Sequence, residues 1–202
     1  MESYIGGLEA KAEQWSGLGV WRYADGTARI GHLPKRGIEA YLHYWYGPLS
    51  EAEVEELERI AMQPIPESLK RFYLHHNGCN LFGGSIFVFG LRKSYDRADF
   101  DAMACNPFDL RIPAITNRKR SPSGQGLCIC TYQDKSLVFI EPDETIARTP
   151  DNDSRTVLNE WASFEGWITS EFERISRYFD QSGNCTVPLL ETVPRSRSER
   201  LS

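Results

Sequence analysis

The stretch LSEAEVEELERIAMQPIPESLKRFYLHHNG, residues 49–78, constrains the fold more than any other part of the chain. Ser50 stands where an N-cap belongs and Glu53 follows three residues later, the reciprocal capping box that satisfies two free amide donors at a helix start. Leu49 and Val54 take the two positions of a hydrophobic staple. Val54, Leu57 and Ala61 then recur at helical spacing, with Glu51, Glu55, Glu56 and Glu58 opposite them, so the segment reads as an amphipathic helix lying on a core. Pro64 ends it. Pro66 suits the first turn of a second helix, in which Leu69, Phe72, Tyr73 and His76 keep the apolar spacing up to a stop at Asn77-Gly78.

The rest of the chain reads mainly as strands. Ile86-Phe-Val-Phe-Gly-Leu91 is apolar on both faces and predicts a central strand. LCICTY and LVFI, separated by Gln133 to Ser136, predict a β-hairpin, and Thr145 to Arg148 extends it by a third strand. Segment 92–116 is less regular: one or two helical turns over Ala98 to Ala104, then an extended piece over Leu110 to Ile115. Near the end, Phe164, Ile168, Phe172, Ile175 and Phe179 keep helical spacing behind Ser163, a second N-cap, and Glu171 can pair with Arg174. TVLNEW, just ahead, reads either as the start of that helix or as a short strand. Helices followed by hairpin-linked strands define an α+β fold, an antiparallel β-sheet with helices packed against it.

The expected organisation is an N-terminal extension over 1–48 packed on the core, a single domain over 49–180, and a largely disordered tail over 181–202. In the extension, GVWRYADGTARIGH reads as a hairpin about Ala24 to Thr27. The aromatic run Tyr41 to Tyr46 reads as core, and it also offers a homodimer contact. The tail QSGNCTVPLLETVPRSRSERLS is rich in Pro, Ser and Arg and lacks periodicity.

Hydrophobic residues at 41% supply a core, while the net charge of −5 disfavours direct binding of nucleic acid. No apolar run is long enough for a membrane span, and the amino terminus lacks the pattern of a secretory signal, so the expected location is cytoplasmic. An odd count of five cysteines agrees with a reducing compartment. Cys128 and Cys130 would share one face of a strand as packing residues, without the second ligand pair that zinc requires. No cofactor and no metal is expected.

Candidates for chemistry are few. His75 and His76 are adjacent, project about 100° apart on a helix, and read as favourable charges at a helix C-terminus. Glu141 and Asp143 flank a Pro turn with no fixed separation for hydrolysis. Arg118-Lys119-Arg120 beside Ser121-Pro122-Ser123-Gly124 reads as a solvated loop rather than a phosphate site.

The combination of the capped acidic helix, the Ile-Pro-Glu start, the Asn-Gly stop, IFVFGL, GQGLCICTYQDKSLVFI and WASFEGWI resembles the SUKH superfamily, the Smi/Knr-type domains known as bacterial immunity proteins. The resemblance runs from about 49 to 176. Two departures accompany it: the glycine-rich signature before the hairpin appears only as Ser123-Gly124-Gln125-Gly126, and residues 1–48 have no counterpart. It implies a protein that is not an enzyme, that binds a cognate toxin protein, and that acts in interbacterial competition through polymorphic toxins delivered by contact or by type VI secretion. Toxins that act on nucleic acids have basic grooves, which an acidic inhibitor would occlude. Asp96, Asp99, Asp101, Asp143, Glu144, Asp151 and Asp153, all in predicted loops, are the candidate toxin contacts. The alternative is a scaffold or regulatory interaction module of the same superfamily.

Overall fold

The computed structural model describes residues 4–96, 98–99, 103–153 and 156–196. Helix α2 (Glu51–Ala61) begins as its capping box requires: Ser50 Oγ accepts the Glu53 N–H at 3.3 Å and the Glu53 carboxylate accepts the Ser50 N–H at 2.8 Å. Val54, Leu57 and Ala61 are buried, and Met62 closes the helix in the left-handed region. Helix α3 (Glu67–Tyr73) is shorter than its apolar spacing predicts. The reason lies in Asn77, whose side chain accepts the Leu91 N–H and donates to the Leu91 carbonyl, both at 2.7 Å. The chain must leave the helix to reach that position. Gly78 then takes φ 84°, and a Cβ there would stand 2.5 Å from the Val88 carbonyl oxygen.

Two antiparallel sheets result. The first runs in chain order through β1 (Val20–Arg22), β2 (Ala28–His32), β3 (Tyr41–Trp45), β4 (Cys79–Leu81) and β5 (Ile86–Val88). The second is the meander β6 (Leu127–Thr131), β7 (Leu137–Ile140), β8 (Ile146–Thr149) and β9 (Asn159–Trp161). Segment 159–161 is thus the short strand of the two readings. Residues 1–48 do more than pack on the outside. They supply α1 (Tyr4–Ala12) and three strands, and β3 pairs with β4 through Tyr44–Asn80 and Trp45–Cys79. Strand β5 is the last of its sheet rather than a central one. Its far side meets the second sheet, where the Phe89 N–H donates to the Ile129 carbonyl at 2.9 Å.

Helix α5 (Phe164–Ser176) covers the junction. Ser163 Oγ accepts the Gly166 N–H at 3.1 Å, and Phe164, Trp167, Ile168, Phe172 and Ile175 are buried. Phe164 meets Phe72 of α3 and Phe172 meets Phe82, with ring centroids 5.1 and 4.8 Å apart. One apolar core therefore spans both sheets, an α+β fold as expected. Within it lie Leu42, His43, Trp45 and Tyr46. Tyr41 and Tyr44 remain half-buried, with the Arg29 guanidinium 5.6 and 5.3 Å from their ring centres.

Four further local expectations are corrected. Leu110 to Ile115 is not extended but enters α4 (Arg111–Thr116), started by the Asp109 carboxylate on the Arg111 N–H at 2.9 Å. Pro113 falls in its first turn, where no donor is missed. His76 is not a helix-end charge: it lies beyond α3, buried, with Nε2 3.1 Å from the Glu9 carboxylate of α1. That hydrogen bond holds Glu9 below the usual carboxylate range. Cys128 and Cys130 do not share a face, because a register slip sets them opposite Phe139 and Val138, successive residues of β7. Burial pushes the Cys128 thiol up to about 12.

The tail is the fourth. Over 181–196 it is placed against the domain, with Thr192 and Ser196 buried. Its polar composition gave no sign of this, because carbonyl groups of the tail accept from Arg148, Asn159 and Arg174 alongside the packing of Leu189 and Val193 on the core.

Candidate functional site

Those contacts surround a groove of about 750 Å³ between β8, β9, α5 and the strap formed by residues 188–196. Arg148 of β8 forms its floor and is only 3% exposed. A buried guanidinium has five donors to satisfy. Nε donates to Ser136 Oγ at 2.7 Å, Nη1 to Asn159 Oδ1 at 2.8 Å and to the Pro194 carbonyl at 2.5 Å, and Nη2 to Asp134 Oδ2 at 2.5 Å. The group also lies 5.3 Å from the centre of the Tyr132 ring. Burial pushes Asp134 up, but the hydrogen bonds from Ser136 and the Arg148 charge outweigh it and hold the carboxyl below its usual range.

A second cluster adjoins the first. Glu171 is buried on α5 and accepts from Arg174 Nε and Nη2 at 2.9 and 2.6 Å and from the Tyr132 hydroxyl at 2.7 Å. Trp167 Nε1 donates to that hydroxyl at 3.1 Å. Burial, and then the Glu171 charge, raise the Tyr132 phenol well above its ordinary value. Arg174 also donates to the Thr192 carbonyl at 2.6 Å, and Asn159 Nδ2 donates to the Arg195 carbonyl at 2.8 Å. Both clusters thus end on the main chain of the strap. Their two carboxylates, Glu171 buried and Asp134 partly exposed, are each held by an arginine, and Ser170 in the wall donates to the Trp167 carbonyl. The arrangement clamps a segment of chain; it does not aim a nucleophile and a base at common space.

The acidic candidates are distributed over three connections. Asp96 and Asp99 are exposed between β5 and α4, where Asp96 accepts the Ala98 N–H at 2.8 Å. Asp101 lies outside the described residues. In the β7–β8 turn, Asp143 accepts from Thr145 and is exposed. Its neighbour Glu144 turns inward: the carboxylate takes the N–H groups of Glu67 and Ser68 at 3.1 and 3.3 Å and caps α3. Between β8 and β9, Asp151 pairs with Arg120 at 2.9 Å, and Asp153 accepts from Thr156 at 2.6 Å. The β7–β8 and β8–β9 connections leave β8 at opposite ends. The structure therefore brings these residues together in pairs within each connection. Glu141, the other carboxylate weighed for hydrolysis, accepts from Ser123, so it and Asp143 serve separate turns.

Sequence reasoning missed one surface. Phe108, Ile112 and Ile115, on and just before α4, are 53%, 66% and 52% exposed. Their i, i+4, i+7 spacing was the available signal, masked by reading 110–115 as extended.

Fold and surfaces together define an α+β domain whose buried charges serve its own packing and whose most unusual exposed feature is apolar. The sequence model of the SMI1/KNR4 family (SUKH-1) matches residues 48–170, more than half of the chain, and the chain belongs to that family. None of the curated proteins matches it. Among the described residues no helix is long and apolar enough to cross a membrane, and no group of three or more His, Cys, Asp or Glu is placed to hold a metal ion.

Proposed function

We propose that this chain is an immunity protein that binds a cognate bacterial toxin in the cytoplasm and neutralises it without catalysing a reaction. The observation that carries this reading is the family match over residues 48–170. The engaged state of the carboxylates around the groove supports it, because a hydrolytic centre needs groups free to exchange protons with a substrate.

The toxin we propose acts on nucleic acid, and its basic substrate groove is occluded by this acidic chain, with net charge −5. Asp96, Asp99, Asp143, Asp151 and Asp153 remain the proposed acidic contacts, with Glu144 contributing by holding α3. A scaffold role would be served by a free docking tail. Here residues 188–196 are clamped to the domain, which favours the inhibitor.

Co-expression tests the reading. Cells that produce the proposed cognate toxin should grow when this chain is induced with it. Continued killing with the chain abundant in the same cells would sink the proposal.

A further inference from the structure

A short helix lying on a protein surface normally turns its polar side outward. Helix α4 does the reverse. Leu110 and Ala114 are buried at 0% and 1% exposure, while Phe108, Ile112 and Ile115 form a stripe open to solvent. The stripe is pre-set rather than loose. The Phe108 ring rests on Phe87 with centroids 4.7 Å apart. Tyr95, 54% exposed, extends the surface at the N-terminal end of α4, where its hydroxyl bonds to Asp109 and the Arg111 guanidinium lies 5.7 Å from its ring. Exposed aromatic and aliphatic side chains held in place are what the centre of a protein interface is made of.

The charges at the two ends differ in sign. Asp96 is exposed beside Tyr95 at one end, and Arg118 and Lys119 are exposed just beyond Ile115 at the other. Neither Arg118 nor Lys119 is in an ion pair with another described residue. A nucleic acid or an anionic lipid surface would favour one end and be repelled at the other. A folded protein face with both signs of charge would be fixed in register by the same pattern.

We propose that the Phe108–Ile112–Ile115 stripe anchors the partner interface. It takes a protein face that presents an apolar pocket, with cations toward Asp96 and carboxylates toward Arg118 and Lys119. This rests on the inhibitor reading above and names the surface that makes the contact. The cationic side of the partner is where a toxin's basic groove would lie, and the stripe supplies the desolvated centre that dispersed acidic loops lack.

The test uses the full chain and a catalytically inactive form of the proposed cognate toxin, with affinity measured by calorimetry. The double variant Ile112→Asp/Ile115→Asp should bind about 100-fold more weakly, and circular dichroism should show it still folded because both side chains are more than half exposed. Arg118→Glu/Lys119→Glu, at two exposed positions, should slow association and reverse its dependence on salt. If wild type binds and both variants bind within about threefold of it, the stripe is not the anchor, although the inhibitor reading stands. If wild type does not bind, the inhibitor reading falls and takes this surface with it. A wild-type dimer in sedimentation that the Ile112→Asp/Ile115→Asp variant dissociates would assign the stripe to a second copy of the chain and overturn the proposal.

Discussion

Arg148→Ala is expected to cost about 3–5 kcal/mol of folding stability, a large share of what a domain of this size has. The substitution removes one side chain but strands several partners. Asp134 loses its counter-charge, while Ser136, Asn159 and the Pro194 carbonyl lose a donor inside a site from which water is largely excluded. The strap loses a side-chain tie at the Pro194 carbonyl, so urea unfolding should show an early midpoint and proteolysis should reach residues 188–196 sooner. Asp143→Ala, at an exposed turn, is the contrast, expected to leave the urea midpoint close to that of wild type. A similarly small loss for Arg148→Ala would mean that the clamp is not what holds the tail.

The second large effect is a loss of stability in mild acid that traces to one imidazole. His43 sits in the core between Trp15, Phe82 and Phe172, with ring centroids 5.1, 4.7 and 5.7 Å away, and among the described residues neither ring nitrogen has a hydrogen-bond partner. Burial pushes its pKa down from 6.5 to about 3. In the unfolded chain the ring takes a proton as pH falls through 6.5, and in the folded chain it does not until about 3. Between those values the unfolded state binds more protons, so stability is full above the upper one and declines toward the lower. The expected decline from neutral pH to pH near 4 is about 3 kcal/mol from this residue alone. Glu9 and Asp134, both held below their usual range, add their own losses only at the acid end. His43→Phe should therefore flatten the urea midpoint between pH 6.5 and 4.5 while leaving the steeper fall below it. An unchanged slope in that variant would show that the proton is taken elsewhere.

What the sequence disclosed was local. The Ser50–Glu53 box, the Ser163 cap and the β6–β7 hairpin lie within a few residues of their partners, so residue type and spacing carry them. Pairing of β3 with β4 joins residues separated by two helices, and nothing in Tyr41 to Trp45 marks that partner. Arg148 reads as one more surface cation until β8 is placed against the strap. Asp143 and Glu144 are equivalent as letters, yet one closes its own turn and the other caps a helix 76 residues earlier. The exposed isoleucines of α4 misled in the opposite way, since burial is the usual reason for an apolar residue and here the side chains face water.

The most direct test of the whole account is a titration. Purified chain is added to the proposed toxin partner in its active form while degradation of the nucleic-acid substrate proposed for it is followed. Binding with occlusion predicts a loss of activity that is linear in added chain and complete near equimolar ratio, with the chain recovered unchanged. Full toxin activity in the presence of excess folded chain would contradict the account.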